Sequence, residues 1–215
     1  MLGFMIRFVA GSLLFFLTGI APGLQTVALN HVRSRTQWDA AHGTELSWRD
    51  SVGSSKILSD SDRAALIRAI EGKLRPSAGD LGVSTEKEFA HMASATRIKV
   101  VDLNGDGIPE VIAQSMGTDT CGAVGNCALW VFKKTASGYS SILDSGSQSF
   151  VVEATRSNGY SDLTLALHDS ATRKQLYLFR FRSGRYRETA CFDANWSPEI
   201  NGPVLKHPVI TRCER

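Results

Sequence analysis

Residues 100–112 read Val-Val-Asp-Leu-Asn-Gly-Asp-Gly-Ile-Pro-Glu-Val-Ile, the strongest chemical signal in the chain. Oxygen-bearing side chains fall on alternate positions, Asp102, Asn104 and Asp106, and a further carboxylate follows at Glu110. Calcium takes six to eight hard oxygen ligands at short range, and a tightly wound loop aims alternate side chains at one point. With Asp102 as position one, the expected donors are Asp102, Asn104, Asp106, the main-chain carbonyl of Ile108, and Glu110, with Gly107 at the sharp turn. Three carboxylates around a dication leave about one net negative charge; without the ion they repel one another, so calcium is expected to order the loop. The competing reading is a metal-free Asn-Gly or Asp-Gly hairpin turn, which the same residues favour.

The flanks decide which kind of calcium loop this resembles. An EF-hand requires a bidentate Glu at position twelve, but Ala113 stands there, and β-forming residues occupy the place of the exiting helix. Asp-x-Asn-x-Asp-Gly-x-x-Glu between two strands instead resembles the calcium hairpin of FG-GAP and VCBS repeats, found in integrin-type β-propeller blades. The resemblance implies that Glu110 closes the loop from the start of the second strand. The wider arrangement, with a paired-Cys loop and Asn158-Gly159-Tyr160-Ser161-Asp162, is similar to uncharacterised secreted or periplasmic bacterial proteins.

The elements that must position this loop are β-strands. Runs at 97–101, 110–114, 129–132, 149–152, 163–167 and 176–181 are short, rich in β-branched and aromatic residues, and bounded by turn residues. Their short connections predict antiparallel neighbours. The order of hairpin turn, acid, apolar strand, Leu-aromatic-x-Phe-basic, Ser-Gly turn and Tyr occurs twice, about fifty residues apart, a period that points to blade-like sheets. In the second copy Ala154, Arg156 and Asn158 replace the loop donors and only Asp162 remains opposite Glu110, so that loop is expected to hold no metal. Two blades cannot make a propeller, which needs at least four. The sheets are expected to pack on each other, partly covered by a helix.

That helix is predicted over 59–75, where Ser59 or Asp60 can cap, acids fill the first turn, Leu66, Ile67, Ile70 and Leu74 recur at helical spacing, and Pro76 stops the run. A loop from Ser77 to Val83 and a shorter helix from Ser84 to Ala93 follow. The expected fold is therefore mainly β, α+β overall: antiparallel hairpins in two blade-like four-stranded units, with one or two N-terminal helices. The expected organisation is an export segment over 1–28, a loosely structured lead-in over 29–58, a helical segment over 59–95, and a β domain over 96–215. Within that domain, degenerate repeats span 96–145 and 149–190 and a C-terminal tail follows.

Arg7 followed by the apolar run 8–21 has the order of a secretory signal peptide, and the alternative is an uncleaved N-terminal anchor, the one membrane contact expected. Four cysteines in an exported chain read as disulfides. The short glycine-bearing loop between Cys121 and Cys127 makes Cys121 with Cys127 and Cys191 with Cys213 the simplest of three connectivities. A zinc site is the competing reading, but Cys-x₅-Cys lacks zinc-ligand spacing and a clustered His. A net charge of +3 spread along the chain, without recognition motifs, argues against a nucleic-acid partner.

No nucleophile–base pair is legible: His31, His42, His91, His168 and His207 are scattered, and His168-Asp169-Ser170 reads as a polar turn, since consecutive extended residues point in alternate directions. Most of Trp130, Phe132, Tyr139, Tyr177, Phe179, Phe181 and Tyr186 are expected in the core. Lys133, Lys134, Arg173, Lys174, Arg180, Arg182, Arg185 and Arg187 crowd the corresponding hairpins, which suits an acidic partner or cell-envelope polymer, against a default of solvated surface. The leading expectation is a secreted or periplasmic calcium-binding interaction module without evident catalysis, whose partner is a protein or an envelope polymer. An envelope hydrolase with an unrecognised acidic site and an inhibitor of an external enzyme are the alternatives.

Overall fold

The computed structural model describes residues 50–82, 84–117, 120–199 and 202–214. The export segment and most of the lead-in lie outside the described residues. From Asp50 on, the lead-in is paired against the next element: the Asp50 carbonyl accepts the N–H of Ile98, the Val52 N–H donates to the Thr96 carbonyl, and Val52 is fully buried.

Ser59 begins the first helix, α1 (Asp60–Leu74), by accepting the N–H of Asp62, while Asp60 and Asp62 place negative charge where helix N–H groups favour it. Leu66, Ile70 and Leu74 form its buried stripe. The chain then tightens into a 3₁₀ turn at Arg75–Ser77 and a single helical turn, α2 (Ala78–Leu81). The segment expected as a loop thus carries helical turns. Its stop is Gly82 at φ 62°, whose N–H caps the carbonyls of Ala78 and Gly79. A second full helix, α3 (Glu86–Ala95), starts at a reciprocal capping box between Thr85 and Glu88.

Nine strands are described: β1 (Arg97–Val101), β2 (Glu110–Gln114), β3 (Cys127–Thr135), β4 (Gly138–Ser147), β5 (Ser149–Ser157), β6 (Tyr160–Ser170), β7 (Arg173–Arg182), β8 (Arg185–Asn195) and β9 (Val209–Arg212). They form two antiparallel meanders in sequence order, β1 to β4 and β5 to β9. Two-residue turns close β5–β6 at Asn158-Gly159 and β7–β8 at Ser183-Gly184. Both residues of each turn have positive φ, the twist that matches right-handed strands.

Each sheet supplies one wall of the central core. Leu103, Ile112, Leu129, Val131 and Leu143 of the first half meet Phe150, Leu163, Leu165, Phe179 and Tyr186 of the second. The other face of the first sheet is covered by helices: Ile98, Val111, Trp130 and Phe132 pack with Leu66, Ile70, Leu74 and Phe89. Being covered on both faces explains why every residue of β2 is buried and why its sequence lacks polar alternation. Each such Leu or Phe contributes about 1.5–3 kcal/mol by burial. The part-exposed ion pairs tying α1 to the sheet, Lys134–Asp62 and Lys73–Asp144 at 2.7 Å, add at most about 1 kcal/mol each, so packing decides this contact.

The cysteines pair as Cys121–Cys127 and Cys191–Cys213, and none is free. The second bridge corrects the expected strand count of the second unit: the C-terminal tail returns along β8 as β9, making a fifth strand. Two disulfides are the kind of crosslink that forms and persists in an oxidising environment. Among the described residues no helix is long and apolar enough to cross a membrane.

Candidate functional site

The residues from Asp102 to Glu110 form the β1–β2 connection, whose ends are held opposite each other by the Val101–Glu110 pair. Inside it the side chains wind the backbone. One carboxylate oxygen of Asp102 accepts the N–H of Gly105 at 2.6 Å and the other that of Gly107 at 3.0 Å. Oδ1 of Asn104 accepts the N–H of Asp106 at 2.9 Å, and Oδ1 of Asp106 accepts that of Ile108 at 2.7 Å. Such local bonds are what short polar side chains do at turns, and they let the backbone double back through Gly105 and Gly107, both at φ near 80°.

Leu103 fixes the loop to the body of the protein. Its side chain is fully buried in the inter-sheet core, its N–H donates to the Glu110 carboxylate at 3.0 Å, and its carbonyl accepts the N–H of Ser161 at 2.7 Å. Glu110 is 1% exposed, whereas Ile108 is 53% exposed. Burial pushes the Glu110 carboxyl above its usual range; the Leu103 N–H opposes this, and the negative charges of Asp106 and Asp102 reinforce it. Asp102 shifts the other way, held below the usual carboxylate range chiefly by the Gly107 N–H.

Three residues absent from the expected site complete it. Tyr160, from the β5–β6 hairpin, receives hydrogen bonds on its hydroxyl from Nδ2 of Asn104 at 3.1 Å and from Nζ of Lys133 at 2.9 Å. The Lys133 ammonium is also stabilised by the charges of Glu110 and Asp106. Arg156 donates from one guanidinium nitrogen to the carbonyls of Asn104 and Gly159, both at 3.1 Å. The sequence placed Arg156 where a donor stood in the first copy; the structure turns its cation onto the first loop.

The candidate donors Asp102, Asn104 and Asp106 therefore share one turn with the Ile108 main chain, and Glu110 leaves it as the first residue of β2. Their side-chain oxygens face the turn's own N–H groups. Among the described residues no group of three or more His, Cys, Asp or Glu side chains is gathered closely enough to hold a metal ion. The donor set is chemically suited to a hard dication: carboxylates and an amide oxygen, although Asp102 already accepts two backbone N–H groups and Asp106 one backbone N–H and the Asn104 amide. Lys133 and Arg156 supply the cationic charge around it.

Elsewhere, His168-Asp169-Ser170 ends β6 instead of lying in a turn. The backbone of His168 is clamped by Asn126 of the Cys121–Cys127 loop, and Asp169 pairs with Arg173 at 3.3 Å. Comparison of the chain with protein-family models, curated proteins and solved structures finds no significant match.

Proposed function

We propose that this chain is a secreted or periplasmic interaction module in which a bound calcium ion fixes the β1–β2 hairpin. The observation that carries the reading is the single turn shared by Asp102, Asn104 and Asp106, closed by the buried Glu110 carboxylate. Those four side chains and the Ile108 carbonyl would hold the ion, which would supply the positive charge that three neighbouring carboxylates call for. The resemblance to FG-GAP and VCBS hairpins, the export segment and the disulfides support the same assignment.

Titration calorimetry with calcium on the wild type and on Asp106→Ala tests it. The wild type should bind with a dissociation constant of about 10⁻⁴ to 10⁻³ M, the range of extracellular modules, and the variant should not. Equal heats from the two proteins would remove the assignment.

A further inference from the structure

The hairpin that meets the candidate loop from the second sheet is firmly supported on its own side. Asn158 of its two-residue turn donates from Nδ2 to the Phe181 carbonyl at 2.7 Å, and Tyr160 beside the turn stacks on the Phe181 ring at 3.8 Å. Arg156 rises from this support, and one guanidinium nitrogen donates both to the Gly159 carbonyl of its own hairpin and to the Asn104 carbonyl of the loop. The register of β5 with β6 shifts after Val152 and resumes at Arg156, opposite Ser161, whose N–H donates to the Leu103 carbonyl. The guanidinium therefore reaches the loop beside a main-chain bond that already joins it to the second sheet.

Two sets of bonds act on the loop, and they do different things. The N–H groups of Gly105, Asp106, Gly107 and Ile108 are all accepted by side chains of the loop itself, which sets the curl of the turn but not where it lies. Its position is set from outside, at residues 103 and 104, by the buried Leu103 side chain, the Ser161 N–H, the Tyr160 hydroxyl and Arg156. Among the described residues Arg156 is the only donor to the Asn104 carbonyl. Gly105 leaves room for it: a Cβ there would stand 3.3 Å from Nη1 of Arg156.

We propose that Arg156 is the positioning residue of the β1–β2 loop, a cation carried by the second sheet that clamps the Asn104 carbonyl and so preforms the turn that receives the ion. The proposal deepens the calcium reading and rests on it for the ligand, whereas the clamp is present without an ion. A loop held in place beforehand has less conformational freedom to lose when it binds. Arg156 is exposed, so water and salt screen its repulsion of a dication, and the gain from holding the turn outweighs that repulsion. Lys133 differs, being part-buried with its ammonium facing the charges of Glu110 and Asp106.

The test uses the full chain as wild type, Arg156→Met, Arg156→Lys and a control, Arg182→Met, which removes an exposed arginine from the next hairpin. Amide hydrogen exchange is read first, without calcium. In Arg156→Met the N–H groups of Gly105 and Gly107 should exchange about fivefold faster, the equilibrium weight of one ordinary hydrogen bond, while amides of β6 and β7 stay protected. Arg156→Lys, which keeps a cationic donor, should restore part of the protection, and Arg182→Met should match the wild type.

Calcium calorimetry on the same proteins should then show Arg156→Met binding about fivefold more weakly and Arg156→Lys lying between it and the wild type. Unchanged exchange at Gly105 and Gly107 in Arg156→Met would overturn the proposal. So would calcium binding by that variant as tight as, or tighter than, that of the wild type, which would make Arg156 a competing cation. A wild type that takes up no calcium would remove the ion from the site, and the exchange data would still decide the clamp.

Discussion

The hydroxyl of Tyr160 accepts a hydrogen bond from Nδ2 of Asn104, 56 positions earlier in the chain, at 3.1 Å, and so joins the β1–β2 loop of one sheet to the β5–β6 hairpin of the other. The ring behind that hydroxyl is stacked on Phe181 at 3.8 Å and edged against Tyr186 at 6.2 Å, which holds it still. Replacing Tyr160 with Phe keeps the rings and deletes the shared acceptor. The expected loss is about 1 kcal/mol of unfolding free energy, the usual size for a part-buried hydrogen bond, read as a lower urea midpoint at unchanged slope. An unchanged midpoint would mean the hydroxyl bridges nothing that matters to stability.

Lys133 supplies a second consequence of the same network. Its ammonium is the cation that faces Glu110 and Asp106, so it and a calcium ion compete for the same negative charge. Lys133→Met should therefore bind calcium more tightly, by about three- to tenfold for one like charge removed at close range in a partly solvated site. Weaker calcium binding by the variant in calorimetry would show that Lys133 instead organises the donors.

Much of this architecture was legible because it is local. Ser59 as a cap and the β1 and β2 boundaries follow from patterns within a few residues and recur in the fold as read, whereas Pro76 ends α1 without ending the helical turns, which run on to Gly82. Strand β9 was not legible, because Val209-Ile-Thr-Arg212 has no turn immediately before it and is positioned by a bridge from Cys213 to a residue on β8. The loop residues of the candidate site announced themselves by spacing. Tyr160, Lys133 and Arg156 did not, since their roles come from the packing of one sheet on the other, a contact spanning dozens of residues that no periodicity encodes. Leu103 was hidden differently: it occupies a silent position between two polar donors, yet its side chain and both main-chain groups anchor the loop.

Tyr186 should set an alkaline limit. Its hydroxyl donates to the Ser161 carbonyl at 2.7 Å, it is 2% exposed, and burial raises its pKa far above the ordinary tyrosine value, with the nearby carboxylates of Glu110 and Asp162 adding to the effect. A folded-state pKa above the unfolded one means that the native protein retains the proton while the unfolded chain releases it. The stabilisation is thus complete below about pH 10, the ordinary tyrosine value, and is lost as pH rises beyond it. Chemical denaturation between about pH 8 and 11 should show stability falling in the upper part of that range for the wild type and falling less for Tyr186→Phe. Parallel curves would assign the alkaline loss to other groups.

The two disulfides should differ in what they protect. Cys191–Cys213 closes a sequence separation of 22 and holds the edge strand β9, which pairs with β8 through four residues of its own. Cys121–Cys127 closes a separation of 6 within a loop that Asn126 independently fastens to the His168 backbone at 2.7 and 2.9 Å. Loop-closure entropy favours the longer crosslink, and β9 has less other support. Replacing Cys191 and Cys213 with Ser should lower stability by about 2–4 kcal/mol and release fast hydrogen exchange across β9, whereas the Cys121/Cys127 pair should cost less and leave β9 protected. Protection of β9 that survives loss of its own bridge would show that strand pairing, not the crosslink, keeps the fifth strand in place.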